Sequence, residues 1–149
     1  MTQKHSRSNS LVYLLERTHR QAKLLLQHEF EAAGLTISVD QWIVLNRVAE
    51  ISGQNQKQIA DATAKDPASI TRIIRLLLQQ KLVTKTASKN DQRSILIFIS
   101  PTGKRMLEIS TKRAKNFKSI AGKGMSQEEL NALRTLLDKI FENAGGKLF

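Results

Sequence analysis

The apolar residues of this chain keep a helical spacing over most of its length and turn to alternation once, in the middle. From residue 10 to about 33 there is no Pro or Gly, and Leu11, Leu14, Leu15, Ala22, Leu25 and Leu26 recur at helical intervals. Gly34 supplies the stop. A helix this long, with apolar residues on several sides, predicts a packing partner, a second chain among the candidates. The next helix has a written start: Ser38 can cap it, Gln41 completes a capping box, and Ile37 with Trp42 can form a hydrophobic staple. It runs to about Ile51. A short helix over 56–63 follows, with Asn55 as cap and Gln58 three residues on.

After a tight connection at Ala64 and Lys65, Asp66 caps a further helix and Pro67 occupies its first position, where a missing N–H is harmless. Ile70, Ile73, Ile74 and Leu77 lie at i, i+3, i+4 and i+7, so that face is core. The opposite face carries Ala68, Arg72, Arg75 and Gln79, flanked by Ser69 and Thr71. The rhythm then changes. Residues 82–87 are rich in β-branched types, and 94–100 alternate, with a polar turn over 88–93 between them: a β-hairpin. Pro101 opens a second long helix that reaches about Gly122. Ser126 and Glu129 form another capping box, and Leu133, Leu136, Leu137, Ile140 and Phe141 make the last apolar stripe.

This order predicts a mainly α fold with a small β-hairpin: a winged helix-turn-helix domain over 35–100, flanked by an N-terminal helix over 10–34 and C-terminal helices over 101–149. Residues 1–9 are expected to be a disordered basic arm. In such a domain the short helix and tight turn brace the next helix, whose polar face can enter a major groove. Ala68, Ser69 and Thr71 are small enough for close approach. Arg72 suits a guanine or a phosphate, and Arg75, a turn further on, suits a phosphate.

Charge adds weight to that surface. The 149 residues carry a formal net charge of +11, and the pI is near 10.3. Between Lys65 and Arg105 there are nine Lys or Arg against two acids, Asp66 and Asp91, in little over a quarter of the chain. The hairpin contributes Lys85, Lys89 and Arg93, and a basic tip suits a narrow minor groove. Arg93 is a candidate both for groove contact and for a salt bridge to Asp91 that stiffens the turn. A second basic run, Lys112, Arg113, Lys115, Lys118 and Lys123, reads best as a solvated helix face.

These residues now form a recognisable set. Asp66-Pro-Ala-Ser-Ile-Thr-Arg-Ile-Ile-Arg-Leu-Leu, Leu82-Val83, Asn90-Asp-Gln-Arg93 and Ile99-Ser-Pro-Thr-Gly103 together resemble the MarR family of bacterial regulators. The resemblance implies an obligate homodimer with interleaved first and last helices, and a ligand-responsive repressor acting on double-stranded DNA. It implies DNA contacts from Ala68, Ser69, Thr71, Arg72, Arg75, Lys89, Asp91 and Arg93. It also implies a small aromatic or anionic effector in a pocket lined by His19 and Trp42, although Trp42 reads better as plain core. In one respect the chain departs from the family: Lys81 stands where Gly is usual, so a positive φ there would be strained.

Other chemistry is excluded by what is missing. There is no Cys, hence no disulfide or thiolate metal site. His5, His19 and His28 are too scattered for a metal site, and no cofactor is expected. No nucleophile triad, Walker loop, dinucleotide fingerprint or HExxH motif occurs, so no enzyme is expected. No apolar run is long enough to span a bilayer, and no signal peptide precedes the first helix, which leads to the cytoplasm as the expected compartment. The rival reading is a winged-helix module for protein assembly, with its charge turned to an acidic partner.

Overall fold

The computed structural model describes residues 10–91 and 93–147. The expected basic arm over 1–9, His5 within it and Gln92 in the hairpin turn lie outside the described residues. Among the described residues six helices appear in order: α1 Leu11–Ala32, α2 Val39–Glu50, α3 Gln56–Thr63, α4 Pro67–Gln79, α5 Pro101–Ala121 and α6 Gln127–Asn143. Three short strands accompany them: β1 Gln54–Asn55, β2 Val83–Ala87 and β3 Ile95–Ile99.

The helix starts follow from local chemistry. Ser38, Asn55 and Ser126 each accept a hydrogen bond from the backbone three residues on, and Gln41, Gln58 and Glu129 each reach back to the cap N–H. These reciprocal bonds satisfy donors that the first turn leaves open. Ser100 caps α5 and Asp66 caps α4, both followed by Pro.

The sheet is larger than a hairpin. Its order is β1-β3-β2, antiparallel throughout, with Gln54 opposite Ile97 and Val83 opposite Ile99. The sequence pattern predicts β2 and β3 only, because two residues carry no alternation. Gly53 makes the third strand accessible: at φ +74° it turns the chain out of α2 and donates to the carbonyl of Ile97 at 3.1 Å. A Cβ at this position would press on the Phe98 ring at 3.2 Å.

One core joins these elements. Phe30 of α1, Val44, Leu45 and Val48 of α2, Ile59 of α3, and Ile70, Ile74 and Leu77 of α4 are fully buried with Leu82 and Ile97. Each such side chain contributes about 1.5–3 kcal/mol by leaving water. α2 sits centrally, touching α3, α4, α5 and β3, while α1 packs along α5. The Trp42 ring meets Phe30 edge to face at 5.9 Å and packs on the core. α6 differs from the rest in having no buried residue.

The end of α4 forms a Schellman motif. Leu82 N–H bonds to the Leu77 carbonyl at 2.9 Å and Lys81 N–H to that of Leu78 at 3.0 Å. Lys81 takes the left-handed position at φ 57°, as its place in a glycine position predicts. Ala64, in the tight connection before α4, is left-handed as well, at φ 51°.

Candidate nucleic-acid interface

The surface begins at the cap of α4. The Asp66 carboxylate accepts from Ser69 Oγ at 2.6 Å and from Ser69 N–H at 2.8 Å. The Ser69 hydroxyl, then its backbone N–H, hold the Asp66 carboxyl below its usual range. The cap is therefore ionised near neutrality, at the positive end of the helix dipole. Ser69 is consequently half-buried and committed to the cap. Ala68, Thr71, Arg72, Arg75 and Gln79 are exposed, opposite the buried Ile70, Ile73, Ile74 and Leu77.

Thr71 is less free than its exposure suggests. Its Oγ1 lies 3.0 Å from Gln56 Oε1 at the start of α3 and 2.9 Å from the Pro67 carbonyl. It thus ties the two helices of the helix-turn-helix together at their outer edge. Among the described residues, Arg72, Arg75, Lys89 and Arg93 are held by no carboxylate.

The hairpin turn is built by small polar groups. Ser88 Oγ accepts from the N–H groups of Asn90 and Asp91, and Ser94 N–H bonds to the Asp91 carbonyl at 2.8 Å. The expected salt bridge between Asp91 and Arg93 is not what stiffens it. Asp91 Oδ1 accepts instead from the backbone N–H of Arg93 at 3.0 Å, which leaves the guanidinium unpaired among the described residues. A carboxylate two residues away reaches the backbone donor without straining the longer side chain.

The wing and α3 face each other. Asp91, Arg93, Ser94 and Ile95 line a cleft of about 380 Å³ with Asn55, Gln56 and Lys57. Gln56 and Lys57 therefore belong to the same surface, and Lys57 is exposed on it. The sequence reading missed both, since β1 is what brings the start of α3 beside β3. Gln56 connects this cleft to Thr71, so α3, α4 and the wing share one polar face.

The two expected effector residues do not meet. Trp42 borders a cavity of about 650 Å³ with Ile43, Asn46, Thr63 and Phe141, whereas His19 lines a separate groove on α1 with Arg20 and Lys23. The Trp42 indole N–H is buried without a hydrogen-bond partner among the described residues. No group of three His, Asp or Glu among the described residues is placed to hold a metal ion. No described helix is long and apolar enough to cross a membrane.

Comparison with known proteins agrees with this geometry. The MarR family profile matches residues 33–94. The HTH-type transcriptional regulator SarV of Staphylococcus aureus is 30% identical over 80 residues, which cover 51% of this chain and 69% of that protein. A probable transcriptional regulator from Pseudomonas aeruginosa superposes with a TM-score of 0.82 at 25% identity, over 91% of this chain and 99% of the other. BpsR of Bordetella bronchiseptica, whose DNA binding is regulated by 6-hydroxynicotinic acid, shares the fold with a TM-score of 0.84 at 22% identity, over 93% and 97% of the two chains. With its capped α4, its wing and its basic outer face, this chain belongs to the MarR family of non-enzymatic, DNA-binding transcription regulators.

Proposed function

We propose that the protein is a homodimeric, ligand-responsive repressor that sets two copies of α4 into major grooves of a pseudo-palindromic operator. The observation that carries the dimer is the apolar surface left uncovered at both ends of the chain. Leu133, Leu136 and Leu137 of α6 are exposed, with Leu136 at 57%, as are Val12 at 77% and Leu24 at 58% on α1. Apolar residues gathered on terminal helices mark an interaction surface, and a second copy of the same helices would cover it. Residues 10–34 and 101–149 accordingly form the dimerisation region, and 35–100 the DNA-binding domain. The half-sites would lie about 34–36 Å apart, one helical turn.

In this reading Ala68, Thr71 and Arg72 approach base edges, Arg75 and Lys89 hold phosphates, and Arg93 enters the minor groove. Asp91 and Ser69 act indirectly, by shaping the turn and the cap. The effector is a small aromatic or anionic molecule in the Trp42 cavity, where the unpartnered indole N–H offers a donor. His19 would act only from its separate groove. Regulation of BpsR by a hydroxylated aromatic acid supports this class of ligand.

Sedimentation at micromolar concentration should return twice the chain mass, and Leu133→Glu with Leu136→Glu should reduce it to one. A persistent monomer of the parent would end the dimer proposal. Trp42 is the single Trp, so its fluorescence should respond to 6-hydroxynicotinic acid as duplex is released. If the parent binds heparin as well as any duplex, the protein-assembly reading with an acidic partner takes its place.

A further inference from the structure

Asp40 lies in the first turn of α2 and is shared between two lysines from distant parts of the chain. Its Oδ2 accepts from Lys23 Nζ of α1 at 2.6 Å, and its Oδ1 from Lys65 Nζ at 2.7 Å. Lys65 is in the connection between α3 and α4, one residue before the Asp66 cap. The side chains of Lys65, Asp40 and Lys23 are 20%, 28% and 40% exposed. Burial opposes the charge on Asp40, but hydrogen bonds from Lys23 and Lys65 and their charges outweigh it, so its carboxyl stays below the usual range.

The residues on either side of Asp40 make related links. Val39 N–H donates to Gln27 Oε1 of α1 at 3.0 Å. Gln41 Nε2 donates to Gln80 Oε1 at 3.3 Å, just beyond the other end of α4. Three consecutive residues of α2 therefore tie α1, at Lys23 and Gln27, to both flanks of α4, at Lys65 and Gln80. Apolar packing beneath them tolerates small slides. Hydrogen bonds of fixed length and direction do not.

Lys65 also changes the account of the basic surface. A lysine beside the recognition helix would ordinarily be counted as a phosphate contact. Here its ammonium is already engaged by a carboxylate, within the molecule.

We propose that Asp40 is a positioning residue for DNA binding: through Lys65 it sets how the start of the recognition helix stands relative to α1, without touching DNA. The proposal rests on α4 being the recognition helix.

The test compares Asp40→Asn, Lys65→Gln and Arg72→Ala with the parent. The probes are a duplex that the parent selects from a random-sequence pool and poly(dI-dC), each titrated between about 50 and 200 mM salt. Thermal melting runs alongside. Asp40→Asn and Lys65→Gln should each weaken the selected duplex about tenfold and leave poly(dI-dC) within about twofold, because orientation and not charge is lost. Lys65→Gln should keep the parental salt slope. A slope shallower by about 0.9 would make Lys65 a direct phosphate contact and overturn the proposal. Parental affinity in both variants would overturn it as well. Should Asp40→Asn fail to melt cooperatively, Lys65→Gln, which retains the Lys23 bond, decides alone. Arg72→Ala separates the two levels. If it too binds as the parent does, the recognition-helix assignment fails; if it alone weakens binding, only the role of Asp40 does.

Discussion

The Ser100 hydroxyl donates to the Lys81 carbonyl at 2.6 Å while accepting the Gly103 N–H at 2.9 Å. One buried oxygen thus joins the residue just beyond the α4 cap to the first turn of α5. Ser100 N–H adds a bond to the Leu82 carbonyl at 3.0 Å. The end of α4 is therefore anchored as firmly as its start, and it is anchored with a lysine in a left-handed position.

Lys81→Gly should stabilise the protein by about 0.5–1 kcal/mol. A non-Gly residue at positive φ costs about 1–2 kcal/mol, part of which glycine gives back through the entropy of the unfolded chain. Urea unfolding of parent and variant measures the difference. A loss of stability would show that contacts of the lysine side chain outweigh the backbone strain.

Gly103 has no such latitude. A Cβ there would lie 2.0 Å from the Leu82 carbonyl oxygen and 2.8 Å from Ile99 Cγ1. The obstacle is backbone, held by the Ser100 bonds, so it cannot swing aside. Gly103→Ala should destabilise by about 3 kcal/mol and lower the urea midpoint accordingly. A variant as stable as the parent would mean that α5 can slide along the strand end.

The two arginines of α4 should separate by salt dependence. Arg72→Ala should cost about 1–3 kcal/mol on the selected duplex and relax discrimination at one base position. Arg75→Ala should weaken all duplexes alike and make the salt slope shallower by about 0.9. Fluorescence anisotropy at several salt concentrations distinguishes them. The assignment fails if the two variants show the same pattern.

Asp40 also carries a pH signature. Its carboxyl is depressed from the ordinary value of 3.8, since the lysine bonds outweigh burial. The ionised form is the one favoured by folding. Its contribution is therefore complete above pH 3.8 and lost as pH falls through the lower, folded value. Parent and Asp40→Asn should differ in urea midpoint at neutral pH, and the gap should narrow as pH falls below 3.8. A constant gap across that range would show that the side-chain charge is not what the bonds require.

Much of this molecule was legible without its structure. The caps at Ser38, Asn55, Asp66 and Ser126 close over three residues, so the side chain and its partner are neighbours in sequence. The buried stripe of α4 and its exposed Ala68, Arg72 and Arg75 follow from helical period alone, and the strain at Lys81 from its departure from the family glycine. What reached beyond a turn of helix or a single hairpin was not legible. β1 exists because Gly53 brings two residues against β3, more than forty positions away. Gln56 and Lys57 join the candidate surface by that pairing. Asp40 meets Lys23 and Lys65 only because α1 and the α3–α4 turn close on the same end of α2, and His19 and Trp42 part because α1 and α2 turn them into different hollows. Local backbone preference sets the first group of features. The second depends on how whole elements are placed by the core, and a contact between elements not joined by a single turn has no signature in either stretch by itself.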